Sequence, residues 1–126
     1  MKRRTLFALA ITLSLFAVSV PMFAHHGTAA YDLSKTVTIK GKVTRFNFIN
    51  PHAQVYFEVA GDKGVEQWQA ELTSPNHLIR TGWSKDTLKP GDDVTITGYR
   101  TKDGTNSIWI GKIMLKDEEL KLEAGN

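Results

Sequence analysis

The sequence predicts an all-β domain, a small five-stranded Greek-key barrel with one short helix between the third and fourth strands. Three observations carry this prediction. Apolar and polar residues alternate through five segments, which is the period of strands that bury one face. Turn residues separate the segments, and the helix start Ser74-Pro75-Asn76 stands between the third and the fourth.

The first strand is long and is predicted to bend. Its apolar side chains first occupy odd positions and then, at Phe46 and Phe48, even ones. Gly41 stands in the middle of the strand, where glycine commonly marks a bulge or a sharp bend. One extra residue near Thr44-Arg45 would produce the change of face. A bent first strand is what a small closed barrel needs.

The second and third strands are predicted to form a hairpin. Residues 54–59 alternate after a corner at Asn50-Pro51-His52, and residues 65–72 alternate around Trp68. Gly61-Asp62-Lys63-Gly64 has the composition of a hairpin turn.

A short helix and two more strands complete the predicted barrel. Ser74 is a good N-cap with Pro75 at the first helical position, and Gly82 can end the helix. Residues 94–98 alternate as a fourth strand, and residues 107–115 as a fifth. Three strands, a helix and two strands is the element order of an OB-fold, with a small sandwich as the competing architecture.

The N-terminus has the pattern of a secretory signal peptide. Lys2-Arg3-Arg4 precedes an uncharged, mostly apolar run of 15 residues, 6–20. This run is shorter than the roughly 20 residues that span a bilayer, so we expect cleavage after Ala24 and no stable membrane insertion. The predicted divisions are a signal peptide (1–24), an N-terminal arm (25–35), the barrel (36–116) and a charged tail (117–126) that frays. The expected location is the periplasm or the medium.

Removal of the signal peptide changes the charge balance and narrows the possible functions. The 16 basic residues fall to 13, which equals the 13 acidic residues. A neutral surface releases few counterions from a phosphate backbone, so we expect no nucleic-acid binding. The absence of cysteine excludes thiolate metal sites and cysteine nucleophiles. The sequence also has no glycine-flanked serine nucleophile and no phosphate loop, so we expect a non-enzymatic protein.

Histidines provide the first candidate site. The corner that holds His52 and the segment after the third strand, with His77, are predicted at one barrel end. The arm enters the first strand from the other end, but its ten or so residues can extend roughly 33 Å, which lets His25 and His26 fold back to His52. The alternative is a disordered arm, with His52 bonded to backbone in its turn.

The chemistry of this predicted site favours a divalent transition metal. Cleavage after Ala24 would leave a free amine on His25 beside its imidazole. Amine and imidazole nitrogens suit Cu(II), Ni(II) or Zn(II), with Cu(II) first. We therefore predict His25, His26 and His52 as metal ligands, and His77 on weaker grounds because a short helix can leave it in water.

Aromatic residues provide an alternative site. Exposed rings on an OB barrel can stack on bases or sugars, although a small barrel also needs large side chains inside. Tyr56 and Tyr99 fall on the more polar faces of their strands, and Asn50 lies in the corner. The alternative function is an envelope module that binds carbohydrate, peptidoglycan or a partner protein through Tyr56, Tyr99 and Asn50.

Several short motifs occur in a fixed order along the mature chain. They are His25-His26 with Tyr31-Asp32, Asn50-Pro51-His52, Ser74-Pro75-Asn76, Gly82-Trp83 and Leu88-Lys89-Pro90-Gly91-Asp92. This pattern resembles a secreted bacterial family known only as a domain of unknown function, number six-one-five-two. The resemblance implies a periplasmic OB-like domain with no established activity. The His25-His26 and His52 motifs belong to the family pattern, whereas His77 does not.

Overall fold

The structure is a computed structural model that describes residues 28–123. Its strands are β1 (Val37–Asn47), β2 (Gln54–Gly61), β3 (Gly64–Glu71), β4 (Asp93–Arg100), β5 (Ser107–Leu115) and β6 (Glu118–Leu120). Helix α1 (Pro75–Leu78) continues into a 3-10 turn (Ile79–Thr81), and another 3-10 turn (Thr28–Ala30) precedes β1. The predicted signal peptide, His25 and His26 lie outside the described residues. No helix within residues 28–123 is long and apolar enough to cross a membrane.

Five strands close into a barrel. The order is β3-β2-β1-β4-β5, with antiparallel neighbours, and a parallel pairing of β3 with β5 closes the ring. We call this β3–β5 pairing the seam. The predicted five-stranded barrel, with one short helix between β3 and β4, is confirmed.

Strand β1 bends where the sequence predicts it. Its register with β2 shifts between Val43 and Arg45, which confirms the extra residue. Gly41 permits a close approach to β2, because a Cβ there would lie 2.5 Å from the Glu58 carbonyl oxygen. The bend lets one strand pair with β2 along its second half and with β4 along its first.

The turn residues act as predicted. Gly61 and Gly64 face each other across the two-residue turn of the β2–β3 hairpin. The Ser74 side chain accepts a hydrogen bond from the backbone N–H of His77, which caps α1. Gly82 has φ 92°, the left-handed conformation that ends a helix.

The hydrophobic core fills the barrel interior and extends under the β3–β4 connection. Leu78 of α1 and Leu88 of the next loop join the same cluster as the strands, so this connection packs against the barrel. The largest fully buried side chains of the core are Phe57, Leu72, Leu78, Leu88, Ile96, Ile108 and Ile113.

The C-terminal segment differs from the prediction. Strand β6 pairs with β5, and Leu120 and Leu122 pack against the core. The Trp83 indole donates a hydrogen bond of 2.7 Å to the Lys121 carbonyl oxygen. The prediction that the charged tail frays is therefore wrong for residues 118–122. A strand of three residues is too short to show an alternating pattern. The charged residues around Leu120 and Leu122 also make the segment look like a solvent-exposed tail.

Candidate functional site

The corner that carries His52 lies beside the exit of β3. The Asn50–Pro51 peptide bond is cis, and Asn50 is exposed. The backbone N–H of Ala53 donates a hydrogen bond of 3.2 Å to the Thr73 carbonyl oxygen, just beyond β3. The predicted proximity of the His52 corner and the end of the third strand is therefore confirmed.

Outward-facing side chains of three strands form a surface beside this corner. Ala53 is fully buried, so the neighbouring His52 and Gln54 face outward. Glu71 of β3 lies opposite Gln54 on one side and opposite Trp109 of β5 on the other. The His52 ring packs edge-to-face on Trp109, with ring centroids 5.1 Å apart. This seam surface therefore joins an imidazole, an indole and a carboxylate.

Tyr31 brings the N-terminal arm onto the seam surface. Its backbone bridges to Thr101, and its ring packs on Trp109 with centroids 6.0 Å apart. Its hydroxyl donates a hydrogen bond of 3.0 Å to Glu71 Oε2, and the residue is only 5% exposed. Burial is the main cause that raises the pKa of Tyr31. A hydrogen bond with Ser107 opposes the rise, and the Glu71 carboxylate adds to it.

Asp32 fixes the direction in which the arm leaves Tyr31. Its backbone N–H donates to the Arg100 carbonyl oxygen at 2.8 Å. Its carboxylate accepts hydrogen bonds from the side chain and the backbone N–H of Ser34, and these lower the pKa of Asp32. The Tyr31-Asp32 pair thus docks the arm on the barrel.

His77 shares a groove with Trp109. The groove, of about 600 Å³, lies between α1, β5 and β6. Its lining includes Thr73, His77, Trp109 and Gly111, which has no side chain to cover its backbone. The His77 side chain is exposed, and no described hydrogen bond holds its imidazole. Trp109 thus contacts the His52 ring and also lines the groove that contains His77.

The described residues do not form a complete metal site by themselves. Within residues 28–123, no three or more His, Asp or Glu side chains are grouped so that they could hold a metal ion. The structure places the predicted ligand His52, whereas His25 and His26 lie outside the described range.

Tyr56 and Tyr99 lie on β2 and β4, on either side of the seam. Tyr56 lies opposite Arg45 near the end of β1, whereas Val37 at its start lies opposite Gly98, the residue before Tyr99. Around the other side of the barrel, Tyr56 lies opposite Gln69 of β3 and Tyr99 lies opposite Trp109 of β5, so the seam lies between the two residues. The Arg45 guanidinium also covers the Tyr56 ring, 4.0 Å from its centroid.

Sequence reasoning did not choose Trp109 or Glu71 as site residues. The signal for Trp109 is its place between Ile108 and Ile110, because alternation then directs the indole outward. An outward tryptophan is a candidate contact residue. Nothing in the sequence distinguishes Glu71 from other strand glutamates, since only the seam places it beside Trp109.

Fold and site together define a small closed barrel with an aromatic and carboxylate surface beside a corner histidine. Over residues 12–109 the chain matches the model of a family of unknown function, DUF6152, and it belongs to this family. No curated protein sequence shows significant similarity to the chain.

Some solved structures share distant similarity. One is the ZRD-deleted mutant of TiaS in complex with agmatine, with 20% identity over 73% of this chain and 23% of that chain and a TM-score of 0.44. Another is apo TiaS, tRNAIle2 agmatidine synthetase, with 23% identity over 64% of this chain and 18% of that chain and a TM-score of 0.44. Yeast Stn1 and Ten1 give 12% identity over 64% of this chain and 42% of that one, with TM-score 0.41. The chain spans less than half of each, and these similarities are too distant to carry a functional conclusion.

Proposed function

We propose that this is a non-enzymatic periplasmic protein that binds a divalent transition metal, Cu(II) first, through His25, His26 and His52. One observation supports it above all: Tyr31 of the arm packs on Trp109, and Trp109 packs on His52. The two ring contacts, 6.0 and 5.1 Å, put the Tyr31 and His52 ring centres at most about 11 Å apart.

The chain between the arm histidines and Tyr31 is long enough to close this gap. His26 precedes Tyr31 by five residues, of which Thr28–Ala30 form a 3-10 turn. Three residues of a 3-10 turn and two extended residues together span up to roughly 13 Å. His25 has one residue more. Both imidazoles can therefore reach His52 while Tyr31 stays on Trp109.

The donor atoms suit a divalent ion better than Cu(I). A mature chain that begins at His25 offers an amine and the imidazoles of His25, His26 and His52, a set typical of Cu(II) sites. Soft Cu(I) prefers thiolate and thioether ligands. The sequence has no cysteine, and Met114 is the one methionine after the predicted cleavage site.

Titration of the mature protein, residues 25–126, with Cu(II) tests the proposal. We expect one equivalent to bind, with an EPR spectrum of nitrogen ligation and with partial quenching of tryptophan fluorescence, because Trp109 contacts His52. His52→Ala removes one of four nitrogen donors and should change this spectrum and weaken binding. A change in His77→Ala would add the weaker candidate to the ligands. Absence of bound copper, or a wild-type spectrum in His52→Ala, would overturn the proposal.

N-terminal sequencing of the exported protein tests the contribution of the amine. A chain that starts at His25 supplies both the amine and the first imidazole. Acetylation of the N-terminal amine removes this donor and should change the Cu(II) spectrum. An identical spectrum would show that the amine is not a ligand.

A further inference from the structure

Glu71 is a half-buried carboxylate without a cationic partner in the described part of the chain. Tyr31 donates to its Oε2, and the tyrosine ring and Trp109 flank it. Among residues 28–123, no Lys, Arg or His nitrogen lies within 4.0 Å of this carboxylate, and Oε1 accepts no hydrogen bond. Oε1 is therefore open to a cation or a metal ion, the partners that partly buried carboxylates commonly have.

Strand register places Glu71 next to His52. Gln54 lies directly opposite Glu71, and His52 precedes Gln54 by two residues on the same outward face. Diagonal neighbours of this kind lie roughly 7–8 Å apart, with a somewhat shorter distance between their Cβ atoms, and this is within reach of long side chains. Trp109 touches the His52 ring and lies opposite Glu71, so it forms the floor between them.

We propose that Glu71 supplies the carboxylate ligand of the metal site, with Oε1 on the ion and Oε2 held by the Tyr31 hydroxyl. This inference rests on the proposed function. An ion at about 2.0–2.2 Å from a histidine nitrogen and a carboxylate oxygen fits between diagonal side chains of this length. Within the described residues, the site would then pair the His52 imidazole with one anionic oxygen.

The carboxylate would determine the charge of the preferred ion. Its negative charge stabilises a divalent cation more than a monovalent one. A hard oxygen ligand also disfavours soft Cu(I). Tyr31 orients the carboxylate without touching the ion, and loss of such an outer partner typically costs 10–100-fold in metal affinity.

Glu71→Gln tests this inference because it removes the charge and keeps the shape. In the mature protein, we expect Tyr31→Phe to lower Cu(II) and Zn(II) affinity about 10–100-fold, and Glu71→Gln to lower it further. Glu58→Gln is the matched control, because Glu58 is also a half-buried outward glutamate, on β2, and it accepts a hydrogen bond from Gln67. This control should bind both ions like the wild type.

The outcomes separate this inference from the proposed function. If Glu71→Gln binds Cu(II) like the wild type while His52→Ala does not, the carboxylate role is wrong and the histidine site stands. If the wild type binds neither ion, both are wrong. If Glu71→Gln does not fold, infrared difference spectra of the wild type decide. Zn(II) should shift a carboxylate stretching band, and no shift would overturn the inference.

Discussion

The Tyr31 hydroxyl donates a hydrogen bond to Glu71 across 40 residues of sequence. The bond ties the arm to the end of β3, where the seam closes the barrel. It also holds the Tyr31 ring on Trp109, the residue that contacts His52. One phenol therefore joins the described part of the arm to the residue that contacts the corner histidine.

Removal of this hydroxyl should destabilise the fold. A hydrogen bond to a charged group contributes about 1.5–3 kcal/mol, so we expect Tyr31→Phe to lower the free energy of unfolding by roughly 1–2 kcal/mol, because Glu71 keeps some contact with water. Urea unfolding measures this change. Tyr99→Phe is the control, since no described residue bonds the Tyr99 hydroxyl, and it should stay within about 0.5 kcal/mol. Equal stability of Tyr31→Phe and the wild type would contradict the prediction.

Stability should also fall at alkaline pH. Burial raises the pKa of Tyr31 above that of a free phenol, so the unfolded chain releases this proton more readily than the folded one. The stabilisation is therefore complete below the usual tyrosine pKa of about 10 and is lost as pH rises through the higher folded pKa. Urea unfolding between pH 8 and 11 should show a steeper loss for the wild type than for Tyr31→Phe. Parallel losses would show that Tyr31 does not contribute.

Gly98 and Gly111, on adjacent strands, should respond very differently to alanine. A Cβ on Gly98 would lie 1.9 Å from the Trp109 carbonyl oxygen, so β4 and β5 would have to separate. At Gly111 the nearest atom, the Thr97 carbonyl oxygen, is 3.6 Å away, an ordinary contact. We expect Gly98→Ala to lower the melting temperature by about 10 °C or to prevent folding, and Gly111→Ala to stay near the wild type. Similar melting temperatures for both variants would refute the close packing of β4 on β5.

Trp83 should control the order of the C-terminal segment. Its indole bonds the Lys121 carbonyl oxygen, so Trp83→Phe removes the anchor, at a cost of about 1 kcal/mol. Hydrogen exchange in residues 118–122 should become faster than in β4. Trp68→Phe is the control, because that indole bonds Glu66 in the hairpin, far along the chain from β6. Equal exchange of residues 118–122 in both variants would contradict the anchor.

Tyr56 tests the alternative function of the barrel. Because Arg45 covers its ring, we expect no carbohydrate stacking there, and tryptophan fluorescence should not change with peptidoglycan fragments. Arg45→Ala uncovers the ring and is the matched variant. A wild-type response that Tyr56→Ala abolishes would favour the envelope-binding function over metal binding.

Local chemistry explains how much of the fold could be predicted. Alternation located the five barrel strands, the Phe46 parity change located the bulge, and Ser74-Pro75 located the helix start. These features depend on neighbouring residues. The sequence did not predict the short strand β6, because its pairing depends on the packing of Leu120 against a core that other strands form.

The sequence by itself determined the strands, their turns and the corner that carries His52, because backbone geometry and alternating burial act over a few residues. Only the tertiary structure decided that Trp109 and Glu71 lie beside that corner and that Tyr31 joins them. The physical reason is closure of the barrel. The parallel seam aligns residues 38 positions apart, Glu71 and Trp109, and no local pattern encodes that register.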